Sequence, residues 1–310
     1  MLHVINTIVP IFAIIFLGWA LRSKKYLPSS LTEPLNRIVF YLALPAMIFE
    51  KVAGARFQAH FNVPLLIGTL IPLIAVFLLG IGAAHVLGIS RHHTGTFLQS
   101  SFHGNLGYVA LAVAFYFLGT EGFTTASILA GFLMLLQNFL SVFALEKFGS
   151  GTEDGGSPWF FLKKILGNPV ILSAVLGILF SVFEIPIPQI LVRSLKILSD
   201  MALPSALLII GARLSLDLIK SQYRLVIGAG FLKLLVLPGF GLLLYQWFGI
   251  PPTQFMPGLI LLAAPTATVT YIMAGEMGGS TSLASAAVSA NTLLSSLTFI
   301  FWLSLFTQVR

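Results

Sequence analysis

The sequence predicts an all-α membrane protein with ten transmembrane helices, arranged as two inverted five-helix repeats. Three observations support this fold class: long apolar stretches, a constant offset that aligns the two halves, and five stretches in each half. Of 310 residues, 57% are apolar and only 9% are charged, whereas soluble domains have roughly 25% charged residues. Several stretches exceed the ~18 apolar residues expected of a membrane-spanning helix. A bilayer is therefore the predicted environment of most of the chain.

Ten apolar stretches can be drawn along the chain, and each is predicted to form one transmembrane helix. They cover residues 4–21, 37–50, 63–88, 96–118, 124–145, 165–183, 195–212, 225–248, 256–275 and 283–306. Pro45 and Pro204 lie inside the second and seventh stretches, and Pro265 lies inside the ninth. Because an internal proline removes a helix hydrogen bond, we expect a helix break at each of the three. The fourth stretch contains the polar run 100–105 and should be interrupted as well.

The two halves of the chain align at one constant offset of 159 residues. The aligned pairs are Pro10 with Pro169, Gly18 with Gly177, Pro45 with Pro204, Gly80 with Gly239, Gly82 with Gly241, and Gly119 with Gly278. Chance alone would bring few glycines and prolines into register, so the symmetry predicts an ancestral duplication. We assign residues 1–149 to the first repeat, 150–164 to a glycine-rich cytoplasmic linker, and 165–310 to the second repeat.

Five helices per repeat give the second repeat the opposite orientation, because an odd number of crossings ends on the other side of the membrane. With the N-terminus outside, eleven Lys and Arg fall in cytoplasmic loops and five in outer loops. The positive-inside rule favours this orientation, so both termini should lie outside the cell (inner) membrane. Scattered loop cations account for the net charge of +7, and no basic stripe indicates nucleic-acid binding.

The interrupted fourth and ninth helices are the predicted functional site. A broken helix exposes N–H groups at one half-helix end and C=O groups at the other, and these ends attract anions and cations respectively. Inverted repeats usually bring such ends together near the membrane midplane. The candidate substrate-binding residues are His103, Asn105 and Gly107 in the fourth helix, Pro265, Thr266, Thr268, Thr270 and Tyr271 in the ninth, and Asn291 in the tenth.

Asp200 and Lys233 are the ionisable residues with the deepest predicted placement. A charge at the centre of a membrane helix costs roughly 2.5–3.5 kcal/mol, so each is a candidate coupling residue or charge partner for an anion. Two structural explanations stay open. Asp200 can pair with Lys196 one turn away, and Lys233 can extend toward the membrane interface. His103 is either a proton relay or a neutral histidine packed beside Asn105.

Four segments of the chain resemble the auxin efflux carrier family. NLGYV at 105–109 is similar to the N-x-G-aromatic motif of the family's fourth helix, and APTA at 264–267 is similar to the P-[ST]-A motif of its ninth. NTLLS at 291–295 resembles a segment of the tenth helix, and FYLALPA at 40–46 resembles the second. The segments occur in matching order over essentially the whole chain.

The resemblance implies a ten-helix fold shared with bile-acid sodium symporters, in which the fourth and ninth helices are broken and cross. It also implies carboxylate substrates, auxin in plants and dicarboxylates such as malate or malonate in bacteria. A core of spans 3–5 and 8–10 would move against a scaffold of spans 1, 2, 6 and 7. The chain departs from the pattern at Ala110 and Ala112, where the family often has Gly and Pro, and at Val269, where it often has Asn. These departures leave the substrate open.

A carrier that moves a small organic anion, a mono- or dicarboxylate, is the leading prediction, with coupling to H⁺, coupling to Na⁺ or downhill transport left open. An anion channel or uncoupled facilitator of the same fold is the alternative. An intramembrane enzyme is disfavoured because the sequence has no H-E-x-x-H, no G-x-S-x-G and no cysteine. A receptor would not require interruptions in both halves. We expect no cofactor and no metal, and a homodimer is left open.

Overall fold

The computed structural model describes residues 1–148 and 167–306, and every regular element in these residues is a helix. The helices in chain order are α1 (Leu2–Ser23), α2 (Ser29–Ile38), α3 (Leu44–Ala53), α4 (Phe57–His60), α5 (Val63–Val86), α6 (Arg91–Phe102), α7 (Leu111–Phe148), α8 (Pro169–Val182), α9 (Gln189–Asp200), α10 (Ala202–Ala212), α11 (Asp217–Ser221), α12 (Tyr223–Phe231), α13 (Leu237–Trp247), α14 (Pro252–Leu262), α15 (Val269–Glu276) and α16 (Thr281–Ser304). Three π-helical turns, Val39–Ala43, Leu106–Ala110 and Leu232–Val236, connect α2 to α3, precede α7, and connect α12 to α13. The predicted all-α class is confirmed for the described residues.

Six helical runs are long and apolar enough to cross a bilayer. They are Leu2–Ser23, Val63–Val86, Leu106–Phe148, Gln189–Ala212, Tyr223–Trp247 and Thr281–Ser304. The apolar helix α8 is shorter, with 14 residues. Large apolar side chains on these runs, such as Leu78 and Leu297, are exposed at the protein surface. Because a bilayer solvates such side chains and satisfies no backbone groups, long apolar helices are suited to spanning it. The chain is a multi-pass membrane protein.

Each predicted stretch coincides largely with helical residues where the structure describes it, except for the non-helical segments 103–105 and 263–268 and a few residues at stretch ends, and several helices extend further. A continuous helical run from Ser29 to Ala53 contains the second stretch, and the seventh begins at Gln189. The added residues are largely polar, as in α2, so an apolar stretch does not reveal them. The predicted linker 150–164 lies outside the described residues.

Pro45 and Pro204 do not break their helices, contrary to the prediction. The π-helical turn Val39–Ala43 ends two residues before Pro45. Its wider hydrogen-bond spacing lets the helix continue although the proline has no N–H to donate. Near Pro204, the irregularity is confined to Met201, whose backbone stays helical at φ −86° and ψ −13°. Both helices are deformed rather than interrupted. Pro265 does lie in a non-helical segment, between α14 and α15.

The offset of 159 residues recurs in the backbone geometry. Among the described residues, Lys25 (φ 64°) and Glu184 (φ 50°) are the non-glycine residues with positive φ, and they are 159 positions apart. Gly119 (φ 68°) and Gly278 (φ 69°) have the same separation. Positive φ is uncommon outside glycine, so the repetition of two such turns at one offset is a structural counterpart of the sequence symmetry.

Helices α1 and α10 pack with their backbones in direct contact. Gly18 lies against the backbone of Leu208, and Gly211 lies against the backbone of Ile15. Small residues allow membrane helices to approach this closely, which strengthens packing where no hydrophobic effect operates between helices. A side chain at either glycine would overlap a carbonyl of the facing helix.

We expect Gly211→Ala to destabilise the protein by about 1–3 kcal/mol, the usual range for overpacking a close contact. The added methyl group would overlap the Ile15 carbonyl oxygen, which is backbone and cannot move aside alone. The measurement is the thermal unfolding midpoint of the purified protein in detergent. Gly82→Ala is the matched control, because no atom lies within 4 Å of a methyl group there. Equal midpoints for the two variants would contradict the prediction.

Candidate functional site: the helix crossing and its cavity

The candidate site lies where two interrupted helices meet, and this meeting point is the helix crossing. Helices α6 and α14 both end here, and the short segments after them, 103–105 and 263–268, run antiparallel beside each other. The N–H of Asn105 donates to the Pro265 carbonyl over 2.7 Å, and the N–H of Ala267 donates back to the first segment over 2.9 Å. The two segments thus satisfy each other's backbone groups, which could not stay unpaired in a membrane.

Helix α7 holds the first of these segments through two side chains one turn apart. Gln137 contacts both polar groups of Gly104: its Oε1 accepts from the N–H over 3.1 Å, and its Nε2 donates to the carbonyl over 3.3 Å. The Ser141 hydroxyl lies 2.7 Å from Nδ1 of His103. These contacts fix the position of a segment in which Gly104 makes no helical hydrogen bond.

The second segment is held by its own threonine and by α16. Thr266 Oγ1 donates to the carbonyl of Ser100 over 2.8 Å and so caps the C-terminal end of α6. Asn291 Nδ2 then donates to the same threonine oxygen over 2.7 Å. The Asn291 side chain packs directly against Gly230, where a methyl group would come within 2.5 Å of its Oδ1. A glycine at this position is therefore required for the asparagine to reach the crossing.

Lys233 caps the other interrupted helix. Its side chain is completely buried, and its Nζ donates to the carbonyl of Leu262, the last residue of α14, over 2.8 Å. The C-terminal end of a helix carries partial negative charge, which an ammonium group complements. A methyl group at Gly104 would lie 3.4 Å from this Nζ. The predicted deep placement of Lys233 is confirmed, and its amine lies at the crossing itself.

Two half-helices begin at the crossing, and both starts line one cavity. They are the π-helical turn that leads into α7 and the first residues of α15. Asn105 caps the first of them, because its Oδ1 accepts the N–H of Tyr108 at 3.4 Å. Since Oδ1 makes this bond, Nδ2 is the free end of the amide. That nitrogen is buried and has no hydrogen-bond partner among the described residues.

The cavity at the crossing has a volume of about 870 Å³. Such a volume falls within the range of small-molecule sites. Its inner wall is the crossing and the starts of the two half-helices, and its outer wall carries charged groups from α2 and from the residue that follows α10. The inner wall includes His103, Asn105, Gly107 and Thr268, and the outer wall includes Glu33, Asn36, Arg37 and Arg213.

A second cavity of about 780 Å³ borders the first. Thr268, Glu33 and Arg213 line both cavities, whereas Tyr271 lines only the second. Both spaces therefore meet at the start of α15.

The structure divides the predicted substrate-binding residues into two groups. His103, Asn105, Gly107, Thr268 and Tyr271 line a cavity. The other predicted residues, Pro265, Thr266, Thr270 and Asn291, are buried within the crossing or beside it and line neither cavity. The part that any of them plays in binding stays a prediction.

Asp200 forms the pair with Lys196 that the sequence left open as its structural explanation. Its side chain is 64% exposed, and its Oδ1 lies 2.8 Å from Nζ of Lys196. The two residues are four positions apart on α9, so they share one exposed face of that helix. Asp200 lies away from the crossing and lines neither cavity.

Several residues at the site were missed from the sequence, among them Ser141, Glu33 and Arg213. Ser141 could have been found from its spacing, because it lies one turn after another polar residue, Gln137, in an otherwise apolar helix. Glu33 precedes the predicted second stretch, in a polar segment that hydropathy assigns to a loop. No sequence signal places it at the cavity.

The fold and the site together define a class: a multi-pass membrane protein whose interrupted helices enclose a cavity suited to a small polar solute. A family model described as "Membrane transport protein" matches residues 3–148 and 158–303. The chain belongs to this family, which includes the auxin efflux carriers, and the resemblance found in its motifs is confirmed.

Two relatives extend the comparison over nearly the full length of the chain. A protein of Rhizobium meliloti (strain 1021) named "Putative malonate transporter" is 26% identical over 313 residues, which cover 95% of this chain and 93% of that protein. An "Uncharacterized transporter" of Methanocaldococcus jannaschii is 22% identical over 310 residues, which cover 96% of this chain and 97% of that protein.

Proposed function

We propose that this protein is a secondary carrier that moves a small carboxylate across the membrane by alternating access. The observation that supports this most is the free amide nitrogen of Asn105, buried at a cavity where two half-helices begin. N–H groups at helix N-termini and an amide donor bind a carboxylate without any metal. The name of the Rhizobium relative points to the same chemical class.

Within this proposal, the chain crosses the membrane ten times as two inverted repeats. The repeated positive-φ turns support this arrangement, and so does the packing of the helices. Helix α1 packs extensively against α10, and α8 packs extensively against α3. The two pairs are equivalent under the offset: α1 shifted forward by 159 residues overlaps α8, and α10 shifted back by 159 residues overlaps α3. The run Leu106–Phe148 has 43 residues and is non-helical at Gly119, so it would supply half of the fourth crossing and all of the fifth.

The larger cavity gives the proposed carrier an orientation. It is lined by Arg37 and Arg213, which the positive-inside rule places on the cytoplasmic side. We therefore assign the structure to an inward-open state in an inner membrane, with both termini outside. Outward opening would require the core that carries Asn105 and α15 to move against the scaffold that carries α2 and α10.

The test is an uptake screen with purified protein in liposomes. Labelled mono- and dicarboxylates are offered while the Na⁺ and pH gradients are varied separately. We expect saturable uptake of at least one carboxylate above protein-free liposomes, and no uptake of a labelled organic cation of similar size. Dependence on one gradient would identify the coupling ion. Uptake of no carboxylate in the panel would contradict the proposal.

A further inference from the structure

An arginine on the outer wall of the larger cavity is held by a carboxylate of the chain itself. Arg213 follows α10, and its Nη2 donates to Oε2 of Glu33 over 2.6 Å. This is the only side-chain hydrogen bond that Arg213 makes with a described residue. A guanidinium group has five N–H donors arranged as a fork that matches a carboxylate. Most of this fork is therefore free for a second anion, and 24% of the side chain is exposed.

This arginine lines the same cavity as the half-helix starts. Asn36 on α2 accepts a hydrogen bond from the hydroxyl of Tyr108 over 2.8 Å, which brings α2 against the residue three positions after Asn105. Glu33 is almost one helical turn before Asn36 on the same face of α2. Arg213, Glu33 and Tyr108 all line this cavity.

We propose that Arg213 is the receptor for a second carboxylate, and that it makes the carrier select dianionic over monoanionic substrates. One carboxylate of the substrate binds at Asn105 and the half-helix starts, and the other binds at the Arg213 fork. Glu33 occupies one nitrogen of that fork, orients it and competes with the substrate for it. This inference rests on the proposed function, since it concerns the same cavity and the same transport step.

Such a substrate would connect the two parts of the protein that the transport cycle moves. Asn105 belongs to the proposed core, and Arg213 belongs to the proposed scaffold. A dicarboxylate would bridge them, whereas a monocarboxylate would contact the core alone. Bridging favours the state in which both walls are close, so selection and movement depend on the same arginine.

The experiment compares malonate with malonamate, in which an uncharged amide replaces one carboxylate at nearly equal size. Uptake of each is measured in proteoliposomes for the wild type, Arg213→Gln, Arg213→Lys and Glu33→Gln. We expect the ratio of malonate to malonamate uptake to fall at least about tenfold in Arg213→Gln, because a charge-assisted forked contact is lost. Arg213→Lys should give an intermediate ratio, since the charge remains without the fork. In Glu33→Gln the competing charge is gone, and the KM for malonate should fall several-fold.

Arg224→Gln is the matched control, because Arg224 is an exposed arginine that lines neither cavity. Its ratio should equal that of the wild type. Equal uptake of malonate and malonamate by the wild type would overturn this inference and leave the proposed function standing. So would a ratio unchanged in Arg213→Gln. If Arg213→Gln loses both activities through misfolding, a higher KM for malonate in Glu33→Gln would overturn the inference. Failure of the wild type to take up any carboxylate would overturn the proposed function and this inference together.

Discussion

Replacing Asn105 with alanine is expected to reduce carboxylate uptake at least about 100-fold while the protein stays folded. The substitution removes an amide nitrogen that is buried and has no hydrogen-bond partner among the described residues, in a residue that lines the cavity. It also removes the cap on the N–H of Tyr108, a loss that costs about 1 kcal/mol. The backbone bond from Asn105 to the facing segment is unaffected. Uptake in liposomes and the unfolding midpoint in detergent are measured on the same preparation.

Asn105→Asp separates the two roles of this side chain. Aspartate keeps the capping oxygen and is at least as good at a helix N-terminus, but it replaces the amide donor with a second anionic oxygen that repels a carboxylate. We expect a normal unfolding midpoint and no uptake. If Asn105→Asp transports at the wild-type rate, Asn105 acts only as a cap and the anion site lies elsewhere.

Replacing Lys233 with methionine is expected to reduce uptake at least about tenfold. Among the described residues, Lys233 is the one buried lysine or arginine, and its charge would add to the attraction of the half-helix starts for an anion. Folding should survive, because methionine fills the same volume and the desolvation cost of the charge disappears. The loss of the bond to the Leu262 carbonyl opposes this gain, so the unfolding midpoint should change little.

Lys233→Gln distinguishes charge from capping. Glutamine retains an N–H donor for the Leu262 carbonyl but carries no charge. If the charge matters, both variants lose uptake. If Lys233 serves only to cap α14, Lys233→Gln transports normally and only Lys233→Met is affected. Wild-type uptake by both variants would exclude a role for Lys233 in transport.

The interruptions in the fourth and ninth helices were predictable because local sequence causes them. A run of Ser, His, Gly and Asn at 100–105 lacks helix formers, and Pro265 lacks the N–H that a continuous helix needs. The same local argument failed at Pro45, where a π-helical turn keeps the helix continuous. A proline determines which backbone hydrogen bond is lost, but whether the helix then widens or ends depends on the surrounding packing.

The contacts that build the site were not predictable, because they join residues far apart in the chain. Gln137 reaches Gly104 from 33 positions away, and Lys233 reaches Leu262 from 29. The pair formed by Arg213 and Glu33 spans 180 positions. Hydropathy ranks a residue by its neighbours in sequence, so it could not show that the Asp200 side chain lies on an exposed face of its helix. The exposure of a side chain and its hydrogen-bond partners both depend on the tertiary fold, so local sequence does not reveal them.

The central claim is that the helix crossing binds one small anion per transport cycle. A counterflow experiment tests this claim most directly. Liposomes containing the protein are loaded with the unlabelled carboxylate that gives the highest uptake, and a trace of the labelled compound is added outside. An alternating-access carrier accumulates the label transiently above its equilibrium level, and Asn105→Asp should abolish this overshoot. A monotonic approach to equilibrium, accompanied by anion currents far above the turnover of a carrier, would contradict the account and identify a channel.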